Sequence, residues 1–429
     1  MDKRLSERYV RLVSEHMNSS EGLSAGLKAL PDKIHSFAST QAAWRFYANE
    51  QVSLQTLQEP LTDAAHDGVA SHCHHHALCV HDWSRLAYKH ANKPDTYAMT
   101  HETDIGYDLQ SSLLLSDRSG EPLAPVAQRL VSAEGSYATY AATSSPVTTV
   151  NTHLDEVTEC MGHLEQQGFE KPLVHIIDRE ADSVGHIRQW QAAGYHWLIR
   201  ANDNPTVDYA GASMACKRIA DHLAFVESRE VSWHNQPAKQ WVAEAPVRLT
   251  RPAKPSQKKS KKPKVPGEPV TARLVVSRVF SEVGELLAEW LLLTNVETTV
   301  DSATIALWYY WRWRIESFFK LLKSAGHQLE AWQQESALAI FKRLLVASMA
   351  CVTVWAMAAD QSNEAAELRR FLIKLSGRQM KRDKPVTHPA LLAGLWVYLS
   401  MQEIMDAYSP AELRQLKTTA QQFLEAKVV

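Results

Sequence analysis

The chain has 429 residues, 45% of them hydrophobic, and a formal charge of −2. That length supports two or three domains around large cores. The near-neutral charge excludes a protein that binds polyanions through its total charge, so any affinity for nucleic acid must reside in local patches. The five cysteines are scattered and odd in number, which argues for a reducing cytosol rather than a disulfide framework.

Residues 1 to about 70 read as a helical module. Segments 4–17 and 40–48 carry apolar residues at helical spacing, and Pro31 interrupts between them. The cations Lys3, Arg4, Arg8, Arg11 and Arg45 fall in this module. The histidine-rich run from His72 to His76 matches no zinc-ligand spacing and reads as a solvated loop.

From residue 71 to about 330 the pattern changes. Leu78-Cys-Val-His-Asp82 is a short apolar strand ending in an acid, and segments 110–116 and 122–130 read as two more strands. An amphipathic helix is expected at 154–167. Pro172-Leu-Val-His-Ile-Ile-Asp178 has the continuous apolar character of a strand covered on both faces. A helix at 183–193 and a strand at 196–201 follow. In sheets of this kind, sites form at strand carboxyl ends, where Asp82 and Asp178 are expected. Residues 202–297 read as a β-rich interruption with strands at 225–233, 241–249, 271–280 and 289–294. Inside it is a loop of six lysines (Lys254, Lys258, Lys259, Lys261, Lys262, Lys264) interleaved with prolines, a composition that does not fold alone. From about 330 the chain reads as helical to its end, and residues 344–359 are too short an apolar run to span a membrane comfortably.

The most informative stretch runs from Tyr309 to Lys323. Tyr309, Arg312, Glu316 and Lys323 are spaced i, i+3, i+7 and i+14. On a continuous helix they share an arc of roughly 60°, beside an apolar stripe of Trp308, Trp311, Ile315, Phe318, Phe319 and Leu322. The spacing matches a Y-(2)-R-(3)-E-(6)-K signature. With Asp178-Arg-Glu-Ala-Asp182 and Cys-Val-His-Asp82, it makes the chain resemble the bacterial cut-and-paste DDE transposases of insertion sequences, of the family-four, Tn-five-like type.

The resemblance implies an α/β, ribonuclease-H-like catalytic core with a β-strand insertion, flanked by helical regions. The amino-terminal one (1–70) would grip element ends and the carboxy-terminal one (331–429) would dimerise. It also implies that Asp82, Asp178 and Glu316 are catalytic and hold two Mg2+ ions, for which Mn2+ substitutes. Three carboxylates suit hard divalent ions, and a pair of them about 4 Å apart stabilises the attacking and leaving oxygens of a phosphodiester. Tyr309, Arg312 and Lys323 would contact phosphates, Arg45 would contribute to end binding, and Trp290 would stack on a flipped base. The partners implied are element-end and target double-stranded DNA and a second copy of the chain, in the cytoplasm on nucleoid DNA, with no membrane. The family usually carries about twenty residues before the position of Met1, so a weakened end-binding module is expected. A transposition inhibitor that pairs with full-length transposase is the alternative reading, and a cellular nuclease on the same fold is a more distant one.

Overall fold

The computed structural model describes residues 3–18, 36–88, 93–147, 152–234, 236–253, 265–378 and 386–428. The lysine loop and Pro31 lie outside the described residues.

Three helices open the chain: α1 (Lys3–Asn18), α2 (Ser36–Ala48) and α3 (Leu54–His72). Strands β1 (Ala77–Ala87), β2 (Tyr97–Ala98), β3 (Ile105–Ser116), β4 (Pro122–Ser132) and β5 (Gly135–Ala138) follow. Then come α4 (His153–Glu165), β6 (Leu173–Ile177), α5 (Val184–Ala192) and β7 (His196–Arg200). Next are β8 (Thr206–Tyr209), β9 (Ala212–Ala215), α6 (Cys216–Ala220), β10 (Val226–Trp233), β11 (Gln236–Leu249), β12 (Val270–Ser281) and β13 (Leu286–Thr294). The rest is helical: α7 (Ser302–Trp311), α8 (Trp313–Leu322), α9 (Ala337–Ala359), α10 (Asn363–Leu375), α11 (His388–Ala407) and α12 (Pro410–Val428).

Among the described residues, all thirteen strands join one mixed sheet. Its path is β5-β4-β3-β1-β6-β7-β13-β12-β11-β8-β9, with β2 beside β3 and β10 beside β11. β1, β6 and β7 run parallel; α4 leads from β5 into β6 and α5 crosses from β6 to β7, while β13 adds antiparallel to β7. The β-rich interruption is therefore continuous with the central sheet.

Strand alternation divides the apolar side chains between two cores. Val174, Ile176, Leu198 and Leu292 face a core shared with Leu57 and Leu61 of α3 and Ile340 and Leu344 of α9. Ile177, Trp197, Ile199, Leu291 and Leu293 face the other, with Val157 and Met161 of α4 and Ile187 and Trp190 of α5. Helix α9 contains the apolar run singled out above. Its length and composition would let it cross a membrane, but 78% of its apolar window is buried inside the fold, so that surface is already committed to packing.

Three expectations need correction. Strand β1 does not end at Asp82; pairing with β3 continues to Ala87 opposite Gly106, so the acid lies mid-strand. Its neighbour β6 does end, at Ile177, and there the sheet opens. The helix from 309 to 323 is not continuous but breaks into α7 and α8 at Arg312. The backbone there stays helical (φ −48°, ψ −33°), yet the Arg312 N–H donates to the Tyr309 carbonyl at 3.1 Å and the Ile315 N–H to the Arg312 carbonyl at 3.2 Å. These three-residue bonds tighten the turn rather than unwind it. The histidine run is a loop only beyond His72, which ends α3, and that loop is only partly solvated. The N–H groups of His74, His75 and His76 donate to the Asp117 carboxylate at 2.7, 2.9 and 3.0 Å, and the His76 side chain is buried.

Candidate active site

The site starts from strand register. Val80 of β1 lies opposite Ile176 of β6 in parallel pairing, so Asp82, two residues further along β1, and Asp178, the first residue past the end of β6, emerge side by side. Asp178 also caps the 3-10 turn at Arg179–Ala181, where its Oδ1 accepts the Glu180 N–H at 2.8 Å. Helix α8 crosses this opening and delivers Glu316. The three acids line one open cleft together with Arg312, Lys320, Lys323 and Glu330.

Arg312 joins two of the acids. Its Nη1 donates to Asp82 Oδ2 at 2.5 Å and its Nη2 to Glu316 Oε1 at 2.8 Å. Burial pushes the Asp82 and Glu316 carboxyls above their ordinary range, and the Arg312 charge opposes the shift without cancelling it. Burial likewise works against the guanidinium, but Asp82, Tyr309 and Glu316 together hold its pKa above the usual value. Asp82 N-terminal neighbours keep to the strand, and its Oδ1 accepts the Trp83 N–H at 2.9 Å. The Arg312 Nε is buried without a hydrogen-bond partner, an unmet donor at the edge of an anionic cleft.

The remaining predicted residues divide. Tyr309 is buried beside the site, and burial raises its phenol to about 12. Lys323 caps α8, its Nζ 2.6 Å from the Arg85 carbonyl and 3.0 Å from Glu330. Trp290 does not line the cleft. It is 7% exposed on β13, with its ring centroid 6.0 Å from that of Trp233. Arg45 is exposed on α2, apart from the cleft-lining residues.

Glu180 and Asp182 carry structural bonds. Asp182 is paired with Arg251 and accepts the Asn202 N–H at 2.8 Å. His186 lies 3.1 Å from Asp155 at the start of α4. Sequence reasoning missed several groups. His153 bridges Asp108 and Glu180 at 3.1 Å each and stacks on Trp83 at 4.6 Å. Hydrogen bonds to Asp108 and Glu180 raise its pKa to about 10. Glu330 accepts the Ala87 N–H at 2.9 Å, tying the end of β1 to the cleft rim. Trp313, 52% exposed, stands next to Arg312. Only the acid at Glu330, seven residues after Lys323, was visible in the sequence as a charge near the signature.

The cleft is lined by four carboxylates, Asp82, Asp178, Glu316 and the rim acid Glu330, and by neither thiol nor imidazole. This oxygen-only donor set fits Mg2+ or Mn2+ better than zinc.

Comparison with known proteins agrees with the chemistry of the cleft. No curated protein matches the chain. A piggyBac transposase synaptic complex with hairpin DNA, solved by cryo-EM, superposes with a TM-score of 0.40 at 8% identity, over 96% of this chain and 75% of that one. Residues 135–352 match the family model of the transposase DDE domain, a span that contains Asp178, Arg312 and Glu316, while Asp82 lies outside it on β1. By that match, which takes in half of the chain, the protein belongs to the transposase DDE domain family.

Proposed function

We propose that this DNA transposase is of the insertion-sequence, Y-R-E-K type, with a ribonuclease-H-like core at 71–330. It cuts at the ends of its element and joins the freed ends to target DNA, as a pair of subunits and by way of hairpin ends. Asp82, Asp178 and Glu316 would hold two Mg2+ ions, which Mn2+ can replace. When bound, the ions supply the positive charge that the attacking and leaving phosphodiester oxygens need. The observation that carries the reading is the convergence of these three acids, from β1, the end of β6 and α8, on one cleft with Arg312 among them.

The chain's own groups have distinct tasks in this reading. Arg312 keeps Asp82 and Glu316 close in spite of their mutual repulsion. Lys320 and Lys323 stand on the cleft wall, where they neutralise backbone charge without reading sequence. Stacking of Trp290 on a base would require it to leave Trp233. Arg45 and the exposed amino-terminal cations would grip element ends.

The test is a plasmid carrying the inverted repeats that flank the gene, incubated with the full chain and Mg2+. Release of the flanked cassette is expected, and chelation should stop it. The proposal fails if wild type releases nothing while bound to the ends, or if the Asp82→Asn, Asp178→Asn, Glu316→Gln triple variant releases as much.

A further inference from the structure

The opposite face of the same two strands carries a second cluster that the cleft does not use. Cys79 and His81 are two residues apart on β1 and so share a face. His175 lies opposite Cys79 in the parallel ladder with β6. All three are fully buried, and one donor atom from each lies within 4.8 Å of the others. His81 Nε2 and His175 Nδ1 face each other at 2.9 Å. The outer nitrogens are already held: His81 Nδ1 is 2.8 Å from Ser112 Oγ, and His175 Nε2 is 3.1 Å from Glu165 Oε1. From α4, the buried Cys160 thiol reaches Ser112 Oγ at 3.1 Å and closes the cluster on the helix side.

We propose that this cluster is a structural site for a soft divalent ion of the zinc class, ligated by Cys79 Sγ, His81 Nε2 and His175 Nδ1, with Cys160 Sγ as the fourth ligand. The donor set of sulfur and imidazole nitrogen selects such an ion over Mg2+. Each imidazole turns one nitrogen to the shared space and anchors the other on a hydroxyl or carboxylate, the arrangement that fixes the tautomer of ligating histidines. Tetrahedral ligation with metal–nitrogen bonds of about 2.0–2.1 Å separates two nitrogens by roughly 3.3 Å, so the rings need to part by only a few tenths of an ångström. Cys160 must swing from Ser112 toward Cys79. Both thiols give their protons to solvent on binding, and the ion offsets the burial that otherwise holds the Cys79 thiol protonated. The site would pin β1, β6 and α4 together, one residue before Asp82 and three before Asp178.

The rival is a neutral hydrogen-bonded chain from Ser112 through His81 and His175 to Glu165. The full chain, expressed with zinc and dialysed against EDTA, is assayed for metal by mass spectrometry. About one zinc per chain is expected to survive. Replacement by Co2+ should give a sulfur-to-cobalt charge-transfer band and the strong visible bands of a tetrahedral ion. Cys79→Ala should lose the charge-transfer band or weaken it by about half, and His175→Gln should lose the bound metal. Asp82→Asn should change neither. Cys79→Ser, which nearly keeps the volume, replaces Cys79→Ala if that variant does not fold. Wild type that retains no metal even after refolding in zinc overturns the proposal, as does a charge-transfer band unchanged in both Cys79 variants.

Discussion

Asp82 and Asp178 are brought together by backbone pairing, each standing two residues beyond the Val80–Ile176 pair of the parallel β1–β6 ladder. Their separation is thus set by hydrogen bonds between strands and not by the side chains around them. Glu316 arrives independently on α8 and is tied to Asp82 through Arg312.

Replacing any one acid should therefore disable chemistry without dismantling the fold. Asp82→Asn, Asp178→Asn and Glu316→Gln are each expected to slow strand cleavage by at least about 100-fold, with circular dichroism and DNA binding retained. A single variant that nicks at near wild-type rate in Mg2+ would remove that residue from the site.

Arg312→Ala should do more than weaken DNA contacts. It leaves Asp82 and Glu316 without their shared cation, and loss of one partner from a buried ion pair costs about 3–5 kcal/mol; Glu316 is 40% exposed, so the lower end applies. Thermal melts should show the loss without divalent ions and a partial recovery in Mg2+. A melting temperature equal to wild type in both buffers would show that the bridge is idle.

Trp290→Ala is expected to lower stability by about 3–5 kcal/mol, the range for a buried Trp truncated in a core. Denaturant titration measures this. Unchanged stability with a selective defect in hairpin formation would instead assign the indole to base stacking.

His153 gives a pH signature. Its folded pKa is about 10 against an ordinary 6.5, so the folded state holds the proton more tightly. The stability it contributes is complete below about pH 6.5 and is lost as pH rises through 10. The half-exposed side chain limits this to on the order of 1 kcal/mol. The stability gap between wild type and His153→Gln should shrink across that window. A gap that is flat with pH would mean the imidazolium is not the source.

Much of the fold was legible because local pattern and tertiary environment agree. The uninterrupted apolar run before Asp178 became β6, buried throughout, and Thr152 and Asp155 form the capping box that starts α4 close to its expected position. What was not legible depends on partners far away in sequence. Nothing around Arg312 shows that its guanidinium will meet Asp82, 230 residues earlier, or that the helix will tighten there. Strands β8 and β9 have four residues each, too few for periodicity to register. The Cys79–His175 pairing is invisible without the β1–β6 register. Tyr309 and Trp290 were recognised as residue types in a motif, but their depth of burial is a property of the packed sheet.

The pairing of β13 with β7 carries a consequence for engineering. Because the β-rich segment between residues 202 and 297 completes the sheet rather than hanging from it, it cannot be cut out like a loop. A shortened chain lacking it would bare the backbone of Leu198, Ile199 and Arg200, an unprotected apolar rim that invites other molecules to add strands. Such a chain should precipitate rather than survive as a minimal nuclease. Chimaeras that exchange this segment between related enzymes should stay soluble only where the donor brings its own β13 equivalent in the same register.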